Sequence, residues 1–139
     1  MSSYKKNAII TGSNRGIGKA ILKKFASAGY NIWACARKST PDFELMLESL
    51  AAENNVWIRP VYFDMNDTIS LERQIHDILD SNESIDVLIN NAGISKVGLL
   101  SQTKIDDVET LFLTNYFSML RIIQRVSKRM SRQKRGCII

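Results

Sequence analysis

The sequence predicts an α/β fold, a doubly wound parallel sheet, and three observations carry that expectation. Short, nearly continuous apolar runs (Ala8 to Ile10, Asn31 to Ala36, Val56 to Phe63, Ile85 to Ile89) alternate with amphipathic stretches of helical period. That is the pattern of strands buried on both faces and joined by crossover helices. A glycine-rich turn, Thr11-Gly12-Ser13-Asn14-Arg15-Gly16-Ile17-Gly18, stands where the first apolar run ends and the first helix begins. A second turn, Asn90-Asn91-Ala92-Gly93, comes after the fourth run. Both sit where strands finish, the edge at which open α/β sheets bind ligands.

After the glycine turn, Ile17, Ala20, Ile21, Phe25 and Ala28 recur at helical spacing, Lys19, Lys23 and Lys24 lie off that stripe, and Gly29 comes next as a C-cap. The turn therefore leads into a helix N-terminus. Free N–H groups and the positive end of the helix dipole are presented there, and glycines let a pyrophosphate approach the backbone. A nucleotide is the expected ligand, held by Gly12, Ser13, Asn14, Arg15, Gly16, Ile17 and Gly18. The spacing Gly-x3-Gly-x-Gly matches neither G-x-G-x-x-G nor the P-loop, since Lys19 is followed by Ala20. Taken alone, the turn also admits the plainer reading of a connector that only joins strand to helix.

Asn31 to Ala36 should pair parallel to the first strand. About 20 residues beyond such a glycine turn, a dinucleotide site for NAD normally carries an acid for the ribose hydroxyls. Ala36-Arg37-Lys38 stands there instead. A carboxylate would repel a 2′-phosphate, whereas Arg37 can pair with one, and Arg15 can reach the same group. The residues favour NADP. Thr40 as N-cap and Pro41 at the first helical position open the next helix, with Phe43, Leu47, Leu50 and Ala51 inward. Pro60 cannot donate a ladder hydrogen bond, which places the third strand, Val56 to Phe63, at a sheet edge. Asp64 closes that strand. Asp67 or Thr68 caps a helix that turns Leu71, Ile75, Ile78 and Leu79 inward. From Gln102 to about Lys134 the pattern is helical in two pieces, with a wide stripe of Leu111, Phe112, Tyr116, Met119, Leu120, Ile123, Val126 and Met130. Asn115 lies within it and needs a partner, such as a neighbouring loop. Gly136-Cys137-Ile138-Ile139 reads as the start of a fifth strand whose continuation is missing.

The complete T-G-x-x-x-G-I-G match at Thr11 to Gly18, with Asn90-Asn91-Ala92-Gly93 and then Asn115 further along, resembles the short-chain dehydrogenase/reductase family. It is most similar in character to the branch containing the 3-oxoacyl-acyl-carrier-protein reductases. The resemblance runs from Lys6 to Ile139 and implies a Rossmann-like sheet of order 3-2-1-4-5, truncated after the start of strand 5. One NAD(P)-binding domain over residues 1–139 is the corresponding expectation. It further implies that Asp64 and the N–H of Met65 read the adenine, that Asn91, Ala92 and Gly93 lie by the cofactor, and that Asn115 is the catalytic asparagine that helps hold a proton-relay water. Homo-oligomerisation through the helix around residues 111–130 is also implied. The family's serine and Tyr-x-x-x-Lys have no counterpart here: Tyr4, Tyr30, Tyr62 and Tyr116 are each followed four positions later by another residue type.

Composition narrows the remaining classes. With 139 residues and 45% hydrophobic content, the chain can bury one core. No run of 18 apolar residues occurs and the N-terminus leaves no room for a secretory segment, so a cytoplasmic protein without a membrane partner is expected. Cys35 and Cys137 form no metal-type pair and read as buried free thiols. His76, the one histidine, lies near Asp77 and Asp80 and reads as solvated. Arg121, Arg125, Lys128, Arg129, Arg132, Lys134 and Arg135 supply seven of the 19 bases behind the net charge of +5. No aromatic residues interleave them, so they read as a solvated helix end and not as a nucleic-acid surface. Together with the arginines that favour NADP, the resemblance implies an NADP(H)-dependent oxidoreductase that transfers hydride between nicotinamide and a carbonyl or alcohol, 3-oxoacyl thioesters among them. A truncated NADP-binding or interaction protein without catalysis is the alternative. Metal sites are not expected.

Overall fold

In the computed structural model, which describes residues 4–139, strands and helices alternate as the hydropathy pattern requires. β1 (Asn7–Ile10), β2 (Asn31–Ala36), β3 (Ile58–Tyr62), β4 (Val87–Ile89) and β5 (Cys137–Ile138) form one sheet in the order β3-β2-β1-β4-β5. Every pairing is parallel. The crossovers are α1 (Gly16–Ser27), α2 (Pro41–Asn54), α3 (Thr68–Asp80), and the pair α4 (Ile105–Phe112) and α5 (Ser118–Gln133). Between α4 and α5 the chain makes one π-helical turn, Leu113–Phe117. The absence of a targeting segment at Met1 to Ser3 was expected on residues that lie outside the described ones.

Alternation along the strands explains the two layers. Ala8, Ile10, Ile32 and Ala34 pack with Leu22 and Ala26 of α1 and with Phe43 and Leu47 of α2. Ile9, Trp33 and Cys35 point the other way, onto Leu71, Ile75 and Ile78 of α3 and Ile122, Val126 and Met130 of α5. The sheet is thus covered on both faces. β3 is an edge strand, as Pro60 requires, and Thr40 and Asp67 cap α2 and α3 by accepting from the N–H groups of Phe43 and Ser70.

Two helical stripes are corrected. In α1 the buried residues are Gly18, Leu22 and Ala26, whereas Ile17 is 74% exposed. Ile21 and Phe25 are half-buried against the same cluster, so the stripe read from hydropathy lies about one position off the buried seam, which starts at Gly18 because only glycine fits against the Gly12 carbonyl. In the long helical stretch the buried seam is Thr114, Ser118, Ile122, Val126 and Met130, spaced four apart, while Phe112 and Tyr116 are exposed. Polar members conceal that seam from a hydropathy reading. Cys35 is buried as expected, but Cys137 is exposed, which corrects the reading of both thiols as buried.

The starting ends of the strands are joined by a polar network. Asp86 accepts from the Asn7 backbone N–H at 2.9 Å, from Ser84 Oγ at 3.1 Å and from Arg135 Nε at 3.0 Å. Asn31 donates to Asn7 Oδ1 and accepts from the N–H of Trp57, while Gln133 of α5 pairs with both backbone groups of Ile85. Arg125 and Arg135 are therefore not simply solvated: the first pairs with Glu72 and the second with Asp86.

Candidate functional site

At the opposite end of the sheet the loops after β1 and β4 diverge around a cleft of about 840 Å³. It opens between β1 and β4, where the strand order reverses. Gly12, Asn14, Arg15, Gly16, Ile17 and Gly18 form one wall, Arg37, Asp64 and Met65 a second, and Asn91, Ala92 and Gly93 the third. Of the residues expected to bind the cofactor or act in catalysis, Ser13 and Asn115 do not line it. Ser13 is fully buried and directs both its N–H and its hydroxyl to the Cys35 carbonyl, at 2.9 and 3.0 Å. It ties the glycine loop to β2.

Each glycine of the loop has its own reason. Gly12 and Gly16 have φ of 64° and 53°, the left-handed region that favours glycine. At Gly18 an added Cβ would come within 2.5 Å of Asn91 Nδ2 and 2.8 Å of the Gly12 carbonyl carbon. Only glycine fits there. At Gly16 an added Cβ would meet nothing within 4 Å, so that position faces open space. Arg15, at the N-cap of α1, makes no side-chain cap, and the first turn of the helix contains no acid. Its N-terminal donors and dipole are consequently unopposed, which suits the phosphates of a nucleotide.

Thr11 joins the two glycine turns. Its Oγ1 accepts from the N–H groups of Asn91 and Ala92, at 3.1 and 3.0 Å, while Asn91 Nδ2 donates to the carbonyls of Thr11 and Gly12. Asn91 thus braces the loop. Asn90 turns away to Ile139, and its Oδ1 is buried without a partner among the described residues. Asn115, in the π-helical turn, accepts from the Ile94 N–H at 2.8 Å and donates to the Ile94 carbonyl at 2.7 Å. Satisfying a neighbouring loop was one reading of this amide, and it describes the geometry. Beside it, Thr114 donates to Asn66 at 2.8 Å and Ser118 to the Met65 carbonyl, so the π-helical turn holds the loops after both β3 and β4. At Asp64, Oδ1 accepts from the N–H of Asn66 and shapes the turn after β3.

Several lining residues escaped the sequence reading: Cys35, Phe63, Asn66, Ile94, Thr110 and Thr114. Thr114 could have been noticed as a small polar residue beside Asn115; the others become neighbours only through the sheet order. Burial pushes the Cys35 thiol up to about 12, so it remains an uncharged part of the wall. His76 is exposed and pairs with Asp80 at 3.5 Å, and neither lines the cleft.

The sheet order, the cleft at the reversal point and the bare helix start define a doubly wound α/β protein of the dinucleotide-binding type of fold. The chain belongs to the short chain dehydrogenase family, whose profile matches residues 6–139. It is 32% identical over 134 residues to a 3-oxoacyl-acyl-carrier-protein reductase of Staphylococcus epidermidis, covering 96% of this chain and 54% of that protein. A bulky-bulky ketone specific alcohol dehydrogenase from Comamonas testosteroni superposes with a TM-score of 0.86 at 28% identity, over 96% of this chain and 53% of the other. L-sorbose reductase from Gluconobacter frateurii, complexed with NADPH and L-sorbose, gives 0.87 at 25% identity, over 96% and 51%. The chain spans about half the length of the curated relatives it matches.

Proposed function

We propose that this chain is the cofactor-binding part of an NADP(H)-dependent oxidoreductase acting on a carbonyl or alcohol substrate, with 3-oxoacyl thioesters within its range. One observation carries the reading: an uncapped helix N-terminus opens into a large cleft whose walls include two arginines, Arg15 and Arg37. A reductase complexed with NADPH among the structural neighbours, and a 3-oxoacyl reductase among the sequence relatives, support it.

A nicotinamide dinucleotide, when bound, supplies the hydride chemistry. The protein's share is orientation. The N–H groups at Gly16, Ile17 and Gly18 receive the pyrophosphate, with Gly12, Ser13 and Asn14 fixing the loop that leads to them. Arg15 and Arg37 bind the 2′-phosphate through charge-assisted hydrogen bonds. Asp64 and the Met65 N–H read the adenine edge, and Asn91, Ala92 and Gly93 bound the far side of the dinucleotide. Asn115 secures Ile94, and its Oδ1 keeps a second lone pair for a relay water.

The exposed rings of Phe112, Tyr116 and Phe117 support homo-oligomerisation through the helices around residues 111–130. Among the described residues no helix is long and apolar enough to cross a membrane. Titrating the purified chain with NADPH and NADH, by fluorescence or calorimetry, tests the assignment. NADPH should bind more tightly, and equal affinities would overturn the reading.

A further inference from the structure

Between β2 and α2 the chain passes through Arg37, Lys38, Ser39 and Thr40, and this loop is anchored unusually. Glu44, in the first turn of α2, accepts on the single atom Oε1 from the Ser39 hydroxyl at 2.5 Å and from the Tyr62 phenol at 3.0 Å. Tyr62 is the last residue of β3 and pairs in register with Ala36, the residue immediately before Arg37. The next N–H, that of Phe63, donates to the Ala36 carbonyl at 3.1 Å. Phe43 packs edge-on against the Tyr62 ring at 6.5 Å. Arg37 is therefore bracketed: the sheet fixes Ala36 on its N-terminal side, and Glu44 together with the Thr40 cap fixes Ser39 and Thr40 on its C-terminal side.

We propose that Glu44 is a positioning residue that sets the cofactor preference of the cleft, by clipping the Arg37–Thr40 loop to the end of β3 so that Arg37 faces the 2′-phosphate position. The inference rests on the NADP reading above and extends it to residues outside the cleft, since Ser39, Glu44 and Tyr62 do not line it. Two consequences of the geometry support it. Hydrogen bonds from the Ser39 hydroxyl and then the Tyr62 phenol hold the Glu44 carboxyl below its ordinary range, so the acceptor is ionised at neutral pH and both bonds are charge-assisted. Both donors engage that carboxylate, and Arg37 has no ion-pair or hydrogen-bond partner of its own among the described residues. Released, Glu44 would be a competing anion a few residues from the guanidinium meant for the ligand.

The test compares dissociation constants for NADPH and NADH in the wild-type chain and in Glu44→Ala, Glu44→Gln and Tyr62→Phe. Glu44→Ala should lower the NADPH-over-NADH preference by about tenfold, while NADH affinity stays within about twofold. Glu44→Gln keeps an acceptor oxygen and should restore most of the preference. Tyr62→Phe, which removes one bond and retains the ring packing, should give a smaller loss in the same direction and covers the case of a misfolded alanine variant. A merely structural role would weaken both cofactors in parallel or lower only the melting temperature. An unchanged ratio in Glu44→Ala and Tyr62→Phe, with the wild type still preferring NADPH, would overturn this inference alone; a wild type without preference would overturn the cofactor assignment and this inference with it.

Discussion

The strands of this sheet begin in a polar network that is closed on itself and finish in loops whose donors face a cleft. At the starting end, Asn7 pairs with Asn31 and Asp86, Asn31 serves the backbone of Trp57, Gln133 serves that of Ile85, and Asn7, Asn31 and Asp86 are buried. At the finishing end, α1 starts with no side-chain cap and no acid, and Gly16 looks into open space. The difference teaches where each kind of residue acts. Buried polar groups that are fully paired contribute to stability and specify the strand order. Donors left unpaired at a cleft are instead available to a ligand, and substitutions there should affect binding more than folding.

The largest expected effect belongs to Gly16. A valine at a φ of 53° adds local strain of about 1–2 kcal/mol and places two methyl groups where a pyrophosphate would approach α1. NADPH affinity should fall by more than about 100-fold, roughly 2.7 kcal/mol, with far-UV circular dichroism nearly unchanged. Retained binding would return the glycine loop to a connector and remove the contrast between the two ends.

The converse experiment is Asp86→Ala at the starting end. Burial alone would push this carboxyl up, but the Asn7 N–H, Arg135 and Ser84 more than offset that and hold it below its ordinary value. Removing it leaves the buried Asn7 N–H without that acceptor, and about 2–3 kcal/mol of stability should be lost while the folded fraction binds NADPH as before. A carboxyl with a lowered folded pKa contributes stability that is fully present above its unfolded pKa of about 4 and is lost as pH falls through the folded value. Denaturation midpoints of the wild type should therefore decline with acidification below about pH 4, and those of Asp86→Asn should decline less.

The same contrast explains which features were legible in the sequence. Glycine turns, strand runs, Pro60 at an edge and the Thr40 and Asp67 caps are local signals, and each was legible because the chemistry that requires the residue lies within a few positions of it. The place of Arg37 on the cleft wall was legible for a related reason: it stands at a defined distance from the glycines. The closed network was not, because Asn7, Asp86 and Arg135 are adjacent only once β1, β4 and β5 have paired. Neither was the seam through Thr114 and Ser118, whose hydroxyls serve the loop after β3 from within a helix that hydropathy alone would rotate outward.

At the cleft, a smaller and more selective loss is expected from Arg37→Ala. A charge-assisted contact with a 2′-phosphate is worth about 1.5–3 kcal/mol, so NADPH affinity should drop about 10-fold to 150-fold while NADH affinity holds. Parallel titrations of the two cofactors check this. A loss shared equally between them would move Arg37 from 2′-phosphate recognition to general support of the loop.

The smallest effect comes from comparing helix starts within the finishing end itself. Asp67 accepts from the Ser70 N–H at 3.0 Å and Thr40 from the Phe43 N–H at 3.3 Å, whereas Arg15 caps nothing. An N-cap is worth about 1 kcal/mol, so Asp67→Ala should lower the melting temperature by about 3 °C and leave NADPH binding unchanged, because α3 already satisfies its own donors. Arg15→Asp supplies α1 with the cap it lacks. That exchange should stabilise the free protein by about 0.5–1 kcal/mol, through the new hydrogen bond and a favourable charge at the positive end of the helix. It should simultaneously weaken NADH, since the carboxylate would occupy the N–H groups and repel the pyrophosphate, and weaken NADPH further, because the contact of Arg15 with the 2′-phosphate is lost as well. Melting curves with and without cofactor separate the two terms. A stabilised variant that still binds NADH with wild-type affinity would mean that the bare start of α1 is not what receives the phosphates.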